Sequence, residues 1–474
     1  MRFPRFRTAI ALITCIFLWQ TTSHAGGPIS VTGNGSPTPG QPFTWGSMPI
    51  KYRVDPGPMA AHGTTVVINH ANGVSRVQAM FGVWQSVPTA IISYQNLGAL
   101  LTATPGYTGG DVKTAAQFDA LFGSCSQGAQ SPVILDADGS LLKALGIDPN
   151  VIGFSAPCDV NVTTGHFVSN LVLLNGKFQD SVSQPQLTTN QFNLAITHEM
   201  GHLSGLDHSQ INLDVLDQTP GQCDTTELAA LPLMFPILQC QARADVAMPV
   251  LAPDDKAWIS FLYPAPNPAP TGKTPFNSVY AKISGQVLFS DGIEKAQGVN
   301  IIARDDNNPG GNAFSVVSGY LFTGNPGQSV TSNYLPCPTS DPACPSSGFA
   351  DSNAAGSGIG STNIADRGSY TIPVDAINCS SPPCSYTLNL ESIDPGFVAG
   401  SSVGPLNPPI PMPGSAPGQP VGTVAAGATV AQPTILLDNT PDTYDSFESA
   451  RLWLPTSVPL RLRQDLLGAE KLTG

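Results

Sequence analysis

The stretch that decides the reading is THEMGHLSGLDHS, residues 197–209. The chain has seven histidines in 474 residues, and His198, His202 and His208 crowd into this one segment. Upstream, Thr188-x-x-Gln191 fits a capping box, and Gly205 sits where a helix would stop, so 188–203 is expected to be helical. His198 and His202 then lie about one turn apart on one face. Gly205 can take a positive φ without a Cβ clash, which lets the chain reverse and return His208 to the same point. Three neutral imidazole nitrogens around one ion leave a fourth tetrahedral position open to water, the arrangement of catalytic zinc. Glu199, beside the first ligand, is placed to take that water's proton as general base and to pass it to a leaving amine. The expected zinc ligands are therefore His198, His202 and His208, and the expected catalytic group is Glu199.

Working outward, the N-terminus comes first. Arg2, Arg5 and Arg7 precede an apolar run over 9–19, and Ser23-His24-Ala25 offers small residues for cleavage. This layout predicts a secretory signal peptide over 1–25, too short to span a membrane. No later run of about 18 apolar residues follows, so no membrane-spanning segment is expected. The formal charge is −13, and it becomes −16 without the three arginines of the leader. So acidic a chain argues against a nucleic-acid partner. Eight cysteines remain beyond Cys15. An even number in an exported chain suggests disulfides; nearest-neighbour pairing is the simplest of many connectivities.

Length calls for two domains. Proline and glycine account for 92 of 474 residues, favouring short strands and long loops. The break is YPAPNPAPTGKTPF, 263–276, a proline-rich stretch expected to act as a semi-rigid linker. Upstream, MPIKYRVD (48–55), TAIISY (89–94), SPVILDADG (131–139) and NLVLLNG (170–176) read as strands. Val77, Phe81 and Trp84 recur at helical spacing from Val74, until Pro88. Asp136 and Asp138 of DADG offer two carboxylates to a Ca2+ ion, but a strand-closing turn is the favoured reading. Downstream, AKISGQVLFSDG, GVNIIARD, GSYTIPV and SYTLNLESID are short alternating strands, interrupted by a polar, glycine-rich excursion over 305–366 that reads as an insertion. The fold class is α+β, with a mixed first domain followed by an all-β sandwich. The boundaries are 26–47 for a short N-terminal segment, 48–264, a linker over 265–279, 280–440, and a tail over 441–474.

The pattern His198-Glu199-x-x-His202-x-x-Gly205-x-x-His208 resembles the metzincin zinc-peptidase signature. Ser209 after the third histidine is similar to the matrixin branch. Met234 in LPLMFP resembles the Met-turn beneath the metal. LAPDDKAWISFLYP, with Asp254-Asp255, is similar to the matrixin C-terminal helix. The resemblance covers about 48–264. It implies a twisted mixed sheet with long helices, an active-site helix, and a structural role for Met234. It also implies an extended substrate that adds to a sheet edge, with VIGFSAP and hence Phe154, Ser155 and Ala156 as the rim. The chain lacks a cysteine between Ala25 and the first strand, so the propeptide latency of that family is not expected. His62, His70 and His166 are too scattered for the family's second zinc site. Cys223 and Cys240 flank Met234, and a bridge there would brace the long loop that precedes it; Cys125–Cys158 would do the same for the opposite rim. The second domain resembles the prealbumin-like regulatory sandwich that accompanies some carboxypeptidases.

The function expected is a secreted zinc endopeptidase cutting extended polypeptides, with a protein or peptide as partner. The competing reading is an adhesin-like protein on a zinc-bound scaffold. An intact Glu199 favours the enzyme, since a scaffold has no use for a base there.

Overall fold

The computed structural model describes residues 26–29, 31–32, 37–102, 106–124, 130–289, 292, 295, 299–320, 368–391 and 418–437. The expected signal peptide, Cys125, Cys337, Cys344, most of the 305–366 excursion and the 441–474 tail lie outside them. The first unit runs β1 (Thr44–Trp45), β2 (Ile50–Val54), β3 (Ala60–His62), β4 (Thr65–Ile68), α1 (His70–Gln85), β5 (Tyr94–Ala99), α2 (Ala115–Gly123) and β6 (Pro132–Asp136). It continues with α3 (Ser140–Ala144), β7 (Gly153–Asn161), β8 (His166–Asn175), α4 (Thr189–Leu203), α5 (Thr225–Leu228) and α6 (Pro253–Leu262).

Six strands form one sheet in the order β1-β8-β6-β2-β5, with β7 added to β8. Every pairing is parallel except β7 with β8. Parallel neighbours need long crossovers, and α1 supplies one between β2 and β5. The central strand β6, PVILD, is buried at all five positions, as a strand covered on both faces must be. Asn69 caps α1 by accepting from the Asn72 N–H, and Val77, Phe81 and Trp84 bury its inner face. That face packs on Phe192, Ile196 and Met200 of α4. Trp84 Nε1 donates to Thr197 O at 2.8 Å, which fixes the register of the two helices.

The alternation in TAIISY predicts a strand over 89–94, but the strand starts at Tyr94. Ile91 N donates to Tyr263 O instead, and Ala90 bridges Pro264, so the start of this run is pinned to the end of α6. It meets the sheet only at its end, where Ser93 O accepts from Ile50 N of β2. The DADG segment is a turn into α3. Asp136 accepts from the N–H groups of Leu141 and Leu142, and Asp138 from that of Ser140. Both carboxylates thus serve the helix start. The 263–279 stretch runs along the first unit: Ala265 N donates to Thr89 O, and Thr274 N to Pro88 O.

The second unit comprises β9 (Tyr280–Phe289), β10 (Asn300–Asp305), β11 (Ala313–Val317), β12 (Ser369–Asp375), β13 (Ser385–Glu391), β14 (Gln419–Thr423), β15 (Thr429–Ala431) and β16 (Ile435–Leu437). One sheet has the order β11-β10-β13-β14; the other is β12-β9-β15, with β16 also on β9. The molecule is thus mixed α and β at the coarse level. The strand β11 corrects the reading of 305–366 as a polar insertion: AFSVV is buried at all five positions. The apolar core is continuous between the units. Trp258 and Ile259 of α6 share one cluster with Ile283, Ile301, Phe314 and Val316 of the β strands.

Candidate metal centre

The helix α4 is set by its caps. Thr188 accepts from Gln191 N at 3.1 Å, and the Gln191 side chain accepts from Thr188 N at 3.0 Å. Such a cap contributes about 1 kcal/mol. At the other end Gly205 has φ +95°, and a Cβ there would lie 2.8 Å from the Phe167 ring. Gly205 N donates to His202 O and Leu206 N to Gly201 O, so the helix closes on a Schellman turn. Trp45 Nε1 donates to Leu203 O and Tyr263 OH to Ser204 O, which satisfies the last carbonyls. The chain then returns and delivers His208.

The three Nε2 atoms of His198, His202 and His208 stand 3.0 to 3.1 Å from one another. Among the described residues this is the one group of three or more His, Cys, Asp or Glu side chains that could hold a metal ion. His198 Nδ1 lies 2.8 Å from Leu233 O, and His202 Nδ1 lies 2.9 Å from Leu206 O. A carbonyl only accepts, so both Nδ1 atoms carry the proton and both neutral rings present a bare Nε2 lone pair. Burial pushes His198 down to about 4, against the Leu233 bond. Burial, with the His198 charge second, pushes His202 down to about 3. Both rings are therefore neutral at ordinary pH. Two facing lone pairs with no proton between them repel, and a cation among them removes the conflict. Tetrahedral ligands about 2.0–2.1 Å from zinc are roughly 3.3 Å apart, close to the spacing found. The donor set fits such an ion.

Glu199 is buried, and its Oε2 has no hydrogen-bond partner among the described residues. Burial pushes its carboxyl up to about 8. A Cβ on Gly153 would lie 3.0 Å from Glu199 Cγ, so β7 begins beside this carboxylate. Phe154, Ser155 and Ala156 follow on β7, paired with Leu173, Val172 and Leu171 of β8. Ser155 Oγ donates to Asn170 at 2.8 Å, and the Phe154 ring meets Phe118 edge-on.

Met234 sits against the opposite side of α4. A Cβ on Gly201 would collide with Met234 Sδ and come within 2.8 Å of Trp84. The close approach of Met234 to the helix therefore requires glycine. Leu233 and Met234 are a junction. Their N–H groups donate to Asp255 on α6 at 2.8 and 3.1 Å. Leu233 O takes the His198 proton, and Met234 O accepts from Ser209 N at 2.8 Å. Asp255 is pushed up to about 6 by burial, against the three backbone bonds from Leu233, Ala252 and Met234 and the nearby Arg243. Arg243 donates to the carbonyls of Leu228, Ala229, Leu231 and Pro249, gathering the loop before and after Met234. Cys223 and Cys240 are disulfide-bonded across this loop, as nearest-neighbour pairing predicts, and so are Cys379 and Cys384 in the second unit. Cys158 is also disulfide-bonded; its expected partner Cys125 lies outside the described residues.

His62, His70 and His166 are spent locally, on Asp180, Gly57 O and Thr44 O respectively. The parts that residue-by-residue reading misses are Trp84, Arg243 and Ser315. Trp84 is visible only as a helix-face aromatic, Arg243 carries no spacing signal, and Ser315 lies in a stretch read as an insertion. No family model, curated protein or solved structure matches the chain.

Proposed function

We propose that the chain is a zinc-dependent endopeptidase of the metzincin type, matrixin-like, that hydrolyses extended polypeptides. One observation carries the reading. Three imidazoles converge on a point, two of them with bare Nε2 atoms, and a buried carboxylate lies on the helix that carries His198 and His202. His198, His202 and His208 hold the ion; when bound, zinc supplies Lewis acidity and makes water a nucleophile near neutral pH. Burial raises the Glu199 pKa, but a cation held by the histidines would favour its ionised form. As the carboxylate, Glu199 takes one proton from the attacking water as the water's oxygen bonds to the scissile carbonyl carbon. It then delivers that proton to the amine as the C–N bond breaks. The backbone of β7, at the sheet edge beside Glu199, offers pairing to an extended substrate through Phe154, Ser155 and Ala156. Met234 supports the helix from below and binds neither ion nor substrate.

Disulfides and the basic and apolar start of the chain support an exported protein. The second reading is a binding protein on a metal scaffold. A buried carboxylate without a partner is expensive for a mere scaffold, which favours the enzyme. The test is metal content by elemental analysis together with peptide-library hydrolysis, with and without chelator. Stoichiometric zinc and chelator-sensitive cleavage are expected. A zinc-replete protein that cuts nothing would transfer the reading to the scaffold.

A further inference from the structure

The segment that carries the third ligand is held by the wrong unit for a self-sufficient catalytic domain. Residues 209–212 follow His208 directly, and each is engaged by the β unit. Ser209 Oγ is 2.8 Å from Ser315 Oγ. Gln210 O accepts from Asn300 Nδ2 at 2.9 Å. Ile211 shares an apolar cluster with Ile302 and Ala313. Asn212 donates to Gly310 O and accepts from Arg304, at 2.9 and 2.7 Å. Ser315 has no solvent exposure and spends its backbone on the first unit as well. Its N–H donates to Asp254 at 2.8 Å, and its carbonyl accepts from Trp258 Nε1 at 2.7 Å. Asp254 adjoins Asp255, which holds Leu233 and Met234; Met234 O in turn holds Ser209 N. The bonds close a ring that contains the neighbours of both His198 and His208.

We propose that the β unit is part of the metal centre, and that Ser315 is the positioning residue that sets His208 through Ser209. The inference rests on the metal-centre reading above. Loss of the Ser315 hydroxyl leaves the buried Ser209 side chain to the Asp254 carboxylate, and the return segment shifts toward that acid. Ligand geometry at a metal is sensitive to such outer bonds, whose loss typically weakens affinity about 10–100-fold.

The test uses the full exported chain titrated with Co2+ alone. Visible absorption reports the coordination geometry, and competition with Zn2+ and a chelator gives the affinity. Ser315→Ala and Ser209→Ala are each expected to weaken binding about 10–100-fold and to change the Co2+ spectrum. The double variant should be no weaker than Ser209→Ala, which already removes the bond that Ser315→Ala removes, together with the bond to Asp254. Leu388→Ala, which truncates a buried β13 side chain away from 209–212, should lower the melting temperature and leave affinity and spectrum as in the parent. Should Ser315→Ala fail to fold, Ser209→Ala and Asn300→Ala carry the same comparison. Parent-like affinity and spectrum in the serine variants overturn the inference. So does a Leu388→Ala effect as large as theirs, which reduces the bond to general stability. A parent that takes up no ion overturns the metal-centre reading instead, a result the serine variants cannot mimic.

Discussion

One oxygen of Glu199 is without a hydrogen-bond partner among the described residues, and that marks the group. That oxygen, Oε2, is buried, a state that calls for a water, an ion or a role in the chemistry. Glu199→Gln keeps the shape and removes the base. Peptide turnover should fall about 10²–10⁴-fold with bound zinc still stoichiometric, read by hydrolysis rate beside metal analysis. Unchanged turnover would remove Glu199 from the chemistry. Gly201 tests the support below the ligands. A methyl group there collides with Met234 Sδ and crowds Trp84, both fixed by packing. Gly201→Ala should therefore lower unfolding free energy by about 1–3 kcal/mol, measured in urea, although alanine is the better helix former. A stabilised variant would mean that Met234 yields freely and does not brace the helix. Both groups lie in one local segment, which is why the sequence shows them so clearly: caps, ligand spacing and turn residue all act within about twenty positions.

Elements differ in how much of their cause is local. The helix α4 is legible because Thr188, Gln191 and Gly205 terminate it by side chains and φ of their own. The strand at 89–94 is misread because its alternation is real but its partner is Tyr263 and Pro264, far along the chain. Nothing in a strand's period names the strand that pairs with it. The turn after β8 is built by one carboxylate. Asp180 accepts from Val182 N, from Ser183 N and Oγ, from Gln186 and from His62. Burial raises its pKa, but these bonds, led by that of the Ser183 hydroxyl, outweigh it and hold the group down at about 2. A depressed carboxylate stabilises the fold above its unfolded value and loses that contribution as pH falls through the folded one. Thermal stability should thus drop between about pH 4 and about pH 2, and Asp180→Asn should flatten that slope; equal slopes would place the acid transition elsewhere. The loop before Met234 is stapled by Cys223–Cys240, 17 residues apart. Replacing both cysteines by alanine should cost about 3 kcal/mol in the chain-entropy view and open 209–250 to proteolysis, read by limited digestion.

At the scale of the molecule the sequence is least informative. A proline-rich stretch suggests a boundary, because composition is local, but it says nothing of how the flanking units meet. That contact is made by β11 and by single bonds from Ser315, Asn300 and Arg304, residues with no motif of their own. The consequence is a dependence between units that a two-domain reading of the composition hides. Trp258 on α6 is only 2% exposed, its Nε1 is bonded to Ser315 O, and its neighbours include Phe314 and Val316. Ending the chain at Ser278 would bare that indole, leave Asp254 without its Ser315 donor, and strip 209–212 of its partners on the β unit, leaving the bonds to Met234 O and Glu227 O and the Ala230 contact. Burying a large aromatic and its surroundings is worth several kcal/mol, which is a large part of the stability of an ordinary domain. The 26–278 fragment should therefore melt without cooperativity, bind a hydrophobic dye such as ANS, and take up Co2+ far more weakly than the whole chain. Calorimetry and a Co2+ titration on the two proteins decide it. A fragment that melts sharply and binds the ion like its parent would show that the β unit only rides on a self-sufficient first unit.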